Sequence, residues 1–262
     1  MEMTTESEAM ATASQVRGRY LYAIIDGGGD REALGFDGVD GAEVYSMGDG
    51  RISAVVSDLP DRKVRPERRK LAAHHEVLKK LMVDRTVLPM AFGLIADGPQ
   101  SVRRILRLNA STFHEQIRRL AGKVEMGLRV AWDVPNIFEY ALKIHPELAE
   151  LRDHIFRGGR EPSQDDKIEV GRTFDRLMTE EREAHGDRVA AVLSAHCSEI
   201  KSNKVRNDRE VLNLACLVDR AKMKDFEAGV IEAARFFDNH FAFDFNGPWP
   251  PHNFVEIELR VS

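Results

Sequence analysis

Apolar and polar positions change their period several times along the chain, and each change marks an element. From Arg19 to Asp26, "RYLYAIID" runs aromatic and β-branched residues together and stops at Gly27–Gly29, which predicts a strand. "AEVYSM" and "ISAVVSDL" predict two more, joined by "GDGR", whose glycines tolerate positive φ, so 42–59 reads as a hairpin. Pro66 suits a first helical turn. After it, Leu71, His74, His75, Leu78, Leu81 and Met82 recur at helical spacing. "RTVLPMAFGLI" returns to extended chain, and Pro89, with no N–H to offer a ladder, restricts it to an edge strand or a bulge. A helix from about Gln100 to Leu120 closes this half.

The second half follows the same plan at greater length. "KVEMGLRVAWDV" places Val124, Met126, Leu128 and Val130 on one face of a strand. Pro135 and Pro146 punctuate the next helical pieces, and a long helix is expected from about Gln164 to Glu199, with Gly171 and Gly186 as its weak points. "SEIKSNKVR" and "EVLNLACLVDR" flank "NDR" as a second hairpin, with a helix over 211–218 as the competing reading. A helix from about Lys222 to Asp238 follows, then "HFAFDFNG" with Phe241, Phe243 and Phe245 on one face. "FVEIEL", with Val255, Ile257 and Leu259 pointing inward, is expected as an additional strand, and the rigid "GPWPP" bridges to it.

This order predicts an α+β protein of two ferredoxin-like, βαββαβ-type domains. In the first, the leading helix is reduced to a short connection; the second has an enlarged helical insertion and an extra C-terminal strand. The expected boundaries are 1–18 as a disordered tail, 19–121 as the first domain with a trailing helix, and 122–262 as the second with its C-terminal tail.

Composition narrows the classes. The chain has 262 residues, 43% apolar and 31% charged, with a net charge of −5, which is ordinary for a soluble globular protein and implies no polyanionic partner. Nowhere do about 18 apolar residues run consecutively, so no membrane-crossing helix is expected. "MEMTTESEAMATASQVRGR" lacks the apolar core of a secretory signal. Cys197 and Cys216 lack CxxC spacing and read as reduced, buried thiols of a cytoplasmic protein.

The candidate chemistry is weak throughout. "DGGGD" follows a strand but lacks the GK[ST] ending of a phosphate loop. His74 and His75 diverge by about 100° on a helix, whereas a ligand pair uses i, i+4 spacing, so packed histidines with local hydrogen bonds are favoured over a metal site. His154, His185, His196 and His240 are scattered, and His196 beside Cys197 points away from it on a helix. No GxSxG elbow is present, and "QDDKIE" and "TEERE" read as solvated helix faces. No catalytic residue, cofactor site or metal site is therefore assigned. Between Leu59 and Leu120, fourteen Lys/Arg stand against six Asp/Glu. Such a basic flank raises RNA binding, but nothing matches the RNP1 pattern. A solvated helix start or a patch for an acidic protein is the better reading.

Five stretches then stand in a telling order: "YLYAI" (Tyr20–Ile24), "HHEVL" (His74–Leu78), "TVLPMAFG" (Thr86–Gly93), "LNLACLVDR" (Leu212–Arg220) and "GPWPPHNFV" (Gly247–Val255). Together they resemble the gas vesicle F/L protein family, from about Arg19 to the C-terminus. The departures are Ala91 and Leu94, where the family often has Arg and Thr, and His252, where an aromatic is common. The resemblance implies a non-enzymatic accessory protein of gas vesicle formation, in the cytoplasm and on gas vesicles. It implies association with the small, very hydrophobic gas vesicle shell protein, limiting its aggregation during nucleation, with other accessory proteins as further partners and no nucleic acid or membrane. The motif residues and interaction candidates are His74, Leu88, Pro89, Phe92, Gly93, Gly247, Pro248, Trp249, Pro250 and Pro251.

Two routes to a partner follow: strand addition at a sheet edge beside Pro89 or the last strand, or an apolar groove between the domains rimmed by the basic helix Pro66–Met82. For Trp249, packing beneath the second sheet, with the prolines fixing the path of the last strand, is favoured over direct contact. A ligand-sensing protein with tandem ferredoxin-like domains is the alternative function.

Overall fold

The structure, a computed structural model, describes residues 18–48, 50–60, 63–157 and 161–260. The expected N-terminal tail up to residue 17 and Asp49 of the first hairpin turn lie outside the described residues. The chain forms two compact units. One is built from the chain up to Val124 together with its end from Trp249; the other is Glu125–Pro248.

The first unit is organised around β1 (Gly18–Asp26), buried from end to end except at Asp26. Both faces of "RYLYAII" are covered, which is why its apolar residues run continuously rather than alternate. β2 (Glu32–Asp37), β3 (Glu43–Gly48), β4 (Ile52–Leu59), β5 (Val87–Pro89) and β6 (Ile95–Ala96) complete a sheet of order β2-β3-β4-β1-β5, with β6 also on β1. The hairpin β3–β4 is antiparallel, in register from Val44↔Ser57 to Gly48↔Ser53. The connection expected in place of a first helix contains the edge strand β2 and a 3₁₀ turn at Val39–Gly41, so this unit departs from βαββαβ in its second element. β5 is the opposite edge, and there Pro89 pairs with Ala23 as the last residue of its strand.

Helix α1 (Arg68–Leu81) starts after Pro66, with Glu67 at the N-cap, and buries His74, Val77, Leu78 and Leu81. The buried stripe therefore runs through Val77 and leaves His75 exposed, a rotation of the expected face. The single helix expected to end at Leu120 is two, α2 (Pro99–Leu108) and α3 (Ala110–Leu120), broken at Asn109. Val102, Ile105, Leu106, Phe113, Ile117 and Leu120 are their buried apolar positions, and Gln116 is buried with them.

The second unit carries a four-stranded sheet of order β10-β7-β9-β8, from β7 (Lys123–Trp132), β8 (Glu199–Ser202), β9 (Glu210–Asp219) and β10 (Phe241–Trp249). β8 and β9 pair antiparallel, as the hairpin reading requires, and β9 is a strand rather than the competing helix. α4 (Ile137–Ile144) is capped by the Asn136 side chain, which accepts from the Phe138 and Glu139 amides, and α5 (Pro146–Ile155) begins on its proline. α6 (Gln164–Leu193) opens with a capping box between Ser163 and Asp166 and continues unbroken through Gly171 and Gly186. α7 (Met223–Ala234) buries Phe226 and Val230, and Phe237 stacks edge-on to Phe241 and Phe243 of β10. Arg182 ties α6 to the sheet by donating to the Glu210 carbonyl at 3.1 Å while its guanidinium lies over Trp132.

The coarse class, α+β with two sheets, is what the sequence implied. The C-terminal segment differs. Residues 255–260 form no strand, so the expected extra strand is absent there. Asn109 shows why: its side-chain amide donates to the Arg260 carbonyl at 2.9 Å and its carbonyl accepts from the Arg260 amide at 3.0 Å. A side chain satisfies the groups that a neighbouring strand would have used, and it belongs to the first unit. Asn109→Ala is expected to cost about 1–3 kcal/mol, because two partly buried hydrogen bonds go and the C-terminal segment loses its partner. Chemical denaturation checks the loss, and faster amide exchange at Arg260 locates it.

Candidate interaction surface

The motif residues of "YLYAI", "HHEVL" and "LPMAFG" meet on one face of β1. Tyr20 and Tyr22, two residues apart, point to the same side. There the His74 ring lies against both, stacked on Tyr22 at 5.6 Å and edge-on to Tyr20 at 5.7 Å. Phe92 closes the cluster, 5.8 Å from His74 and 6.0 Å from Tyr20.

Hydrogen bonds fix this arrangement. The Gly93 amide donates to the Tyr20 hydroxyl at 3.1 Å, and that hydroxyl lies 2.9 Å from His74 Nδ1. With the Gly93 amide on its oxygen, the Tyr20 hydroxyl turns its proton to His74 Nδ1, and the imidazole also bonds the Met90 backbone. A neutral imidazole is required, and the surroundings enforce it. His74 is 2% exposed, and burial, followed by the charges of His75 and His252, pushes its pKa down to about 4. Burial likewise raises the Tyr20 and Tyr22 hydroxyls, so both stay protonated donors. His74 is thus a packed histidine that welds α1 to β1 and to the 90–93 loop. Leu88 is fully buried in β5 opposite Ile24, so it serves the core and not the surface.

"GPWPPHNFV" divides its work. Gly247 has φ +126°, and a Cβ there would stand 2.9 Å from Met126 Sδ and 3.0 Å from the Glu125 carbonyl, so only glycine fits. The Gly247–Pro248 peptide is cis. Pro250, Pro251 and Phe254 are buried. The Arg119 guanidinium donates to the Phe254 carbonyl, and Gln116 Oε1 accepts from the Glu256 amide at 3.3 Å. His252 sets its ring on His75 of α1 at 5.6 Å. The expectation that Trp249 packs beneath the second sheet is not met: it lies in the first unit, 38% exposed, with the Lys79 ammonium 5.2 Å from its ring centre.

One helix therefore carries both motifs, His74 on its buried side and His75 and Lys79 towards the "GPWPPH" segment. Val83, one turn beyond Lys79, is 72% exposed. The basic flank is partly neutralised, since Lys70 and Arg69 reach Asp40 at 3.1 and 3.5 Å and Lys79 reaches Glu76 at 3.3 Å. The sequence reading missed Asn109, Gln116 and Arg119, which hold the chain end. Their signal was present: Asn109 sits four residues after Ile105 and four before Phe113, a polar residue on an apolar helical stripe. Among the described residues, no group of three or more His, Cys, Asp or Glu is placed to hold a metal ion, and no helix is long and apolar enough to cross a membrane.

Residues 18–256 match the family model described as gas vesicle synthesis protein GvpL/GvpF. Curated relatives include gas vesicle protein F of Streptomyces sp. (strain CB03234), 27% identical over 86% of this chain and 93% of that protein. Gas vesicle protein F2 of Halobacterium salinarum is 29% identical over 93% and 94%, and gas vesicle protein L1 of the same organism 23% identical over 97% and 95%. In fold, the chain is similar to the crystal structure of GvpF from Anabaena sp. PCC7120, with a TM-score of 0.80 at 24% identity, covering 92% of this chain and 99% of that one. The "YLY", "HHEVL", "LPMAFG" and "GPWPP" stretches that converge on α1 thus lie within the span of the family model, and the chain belongs to the GvpL/GvpF family of gas vesicle synthesis proteins.

Proposed function

We propose that this chain is a non-enzymatic accessory protein that binds the gas vesicle shell protein and limits its aggregation while a vesicle nucleates. The observation that carries the proposal is the match to the gas vesicle synthesis family over 18–256. It acts in the cytoplasm and at the gas vesicle, alone or with other accessory proteins. A very hydrophobic shell subunit aggregates because burying apolar surface gains about 25 cal/mol per Å². A holding partner competes by covering that surface reversibly.

Two features of the first unit suit this task. The half-exposed Trp249, braced by Lys79, and the exposed Val83 offer apolar contact on a rigid frame, since Pro250 and Pro251 are already buried. Pre-ordering of this kind lowers the entropic cost of binding. The edge strand β5 with Pro89 offers a site for strand addition, whereas the other proposed edge, a C-terminal strand, is not formed. The tandem ferredoxin-like reading is part of the same proposal. In each unit the opening strand lies between the second hairpin strand and a strand that follows a later helix, β1 between β4 and β5 and β7 between β9 and β10.

The test is retention of this chain on immobilised shell protein. Trp249→Ala is expected to weaken retention about tenfold, a loss of about 1.4 kcal/mol, while leaving the melting temperature close to that of the parent. Unchanged retention removes Trp249 from the interface.

A further inference from the structure

One edge of the second sheet, β10, is aromatic and open, and its contacts with β7 fix which way its backbone points. The Asp133 amide donates to the His240 carbonyl at 2.6 Å, and the rings of Trp132 and Phe241 lie 6.3 Å apart. Arg129 pairs with Asp244, and a Cβ on Gly127 would stand 2.6 Å from Asn246 Oδ1. Numbers fall on one strand as they rise on the other, with the same offset throughout, so the two run antiparallel without a bulge from His240 to Asn246. Hydrogen-bonded positions alternate along such a pair. His240 bonds to the β7 side, so Ala242, Asp244 and Asn246 do too, and Phe241, Phe243 and Phe245 turn their peptide groups outward. β10 is the last strand of its sheet, and among the described residues no strand lies beyond it. The Phe241 amide is engaged, donating to the Asp238 carbonyl at 3.3 Å. The run ends at Gly247, with φ +126°, and at Pro248, which has no N–H.

The side chains divide by face. Phe237 lies edge-on to Phe241 and Phe243, and Phe226 is 6.0 Å from Phe245, yet Phe245 remains 38% exposed. Ala242 and Asp244, on the opposite face, are exposed. An apolar open edge is a template for another strand, and "FAFDF" has neither the lysine nor the proline that would blunt it. Its one charge, Asp244, is engaged by Arg129.

We infer that this edge binds β10 of a second copy of the chain, antiparallel, about a twofold axis at Phe243. Phe243 then faces its counterpart, and Phe241 faces Phe245 of the second copy. The outward peptide groups of Phe243 and Phe245 are satisfied, and the phenylalanines form one cross-strand row. Asp244 meets Ala242 of the second copy. Charge selects this register. Sliding by two residues one way, which keeps the hydrogen bonding, would oppose Asp244 to its own counterpart, and like charges directly opposite repel. Sliding the other way leaves Phe245, the most exposed of the three, unpaired. Each copy uses its single β10 edge, so the contact is isologous and closes at two. So short an edge buries less than the roughly 800 Å² per partner of a stable interface, so the dimer is weak and concentration-dependent. The inference is independent of the gas vesicle reading.

Sedimentation equilibrium of the whole chain at rising concentration provides the test. The expected result is a reversible monomer–dimer equilibrium, with amide exchange at Phe243 and Phe245 slowing as the dimer forms. Ala242→Lys, placed opposite Asp244 of the second copy, should tighten the dimer about fivefold, and Ala242→Glu should weaken it about fivefold. Ala242 is exposed, so both variants should melt near the parent temperature. A monomer at every concentration overturns the inference and leaves the edge to a strand of another protein. Assemblies larger than two, a dimer that neither substitution shifts, or one that both weaken overturn it as well.

Discussion

Gly38→Ala is expected to unfold the first unit under conditions where the parent chain remains folded. Gly38 precedes the 3₁₀ turn, and a Cβ there would lie 2.1 Å from the Tyr22 hydroxyl oxygen, 2.7 Å from its Cζ and 2.9 Å from Val44 Cγ2. Tyr22 has no room to retreat. Its hydroxyl accepts from the Val39 amide at 2.8 Å and donates to Ser57 Oγ at 3.1 Å, and its ring is stacked on His74. Overpacking costs about 1–3 kcal/mol and each disrupted buried hydrogen bond about 1 more, giving about 3–5 kcal/mol. That is a large share of the stability of an ordinary domain, about 5–15 kcal/mol. Urea denaturation followed by circular dichroism checks it. Adding Tyr22→Phe removes the closest clash and should restore part of the loss, a coupling that independent sites would not show. A parent-like midpoint for Gly38→Ala would mean that Tyr22 is not held where the network places it.

The second large effect is on acid stability. His74 has its pKa at about 4 in the folded chain, mainly through burial, against about 6.5 in an unfolded one. Between those values the unfolded chain takes up a proton that the folded chain refuses, so folding weakens as the pH falls. The contribution is complete above pH 6.5 or so and is lost progressively towards pH 4, on the order of 3 kcal/mol in total. His74→Gln keeps a donor and an acceptor without titrating. Its stability should therefore vary less than the parent's between pH 6.5 and 4, even if it is lower at pH 7. Equal slopes for parent and variant would show that His74 does not carry the acid sensitivity.

What was legible in the sequence follows from which interactions are local. β1, the β3–β4 hairpin, β7 and the start of the long helix were visible because period and turn glycines act within a few positions, while the helix ends at Leu193 rather than at the expected Glu199, which lies in β8. The edge position of Pro89 was legible because a missing N–H excludes the centre of a sheet. β2 was missed because "EALGFD" alternates only weakly and is half-exposed along an edge. The C-terminal segment was misread for a different reason. Val255, Ile257 and Leu259 alternate as a strand would, and each is half-buried, but the backbone of this segment is held at Glu256 and Arg260 by the side chains of Gln116 and Asn109, more than a hundred positions earlier. Period 2 reports an extended chain, not the presence of a sheet. The motif residues were found as a set, yet their division of labour was not legible. That His74 and Leu88 are internal while Trp249 is half-exposed depends on contacts between distant stretches.

Sedimentation of freshly diluted gas vesicle shell protein, with and without this chain over a range of molar ratios, tests the proposed holding role most directly. The account predicts that the shell protein stays in the supernatant in proportion to the chain added, and that Trp249→Ala is less effective at every ratio. If the shell protein pellets equally at all ratios, this chain does not hold it alone, which contradicts the account's central claim of direct holding by the single chain.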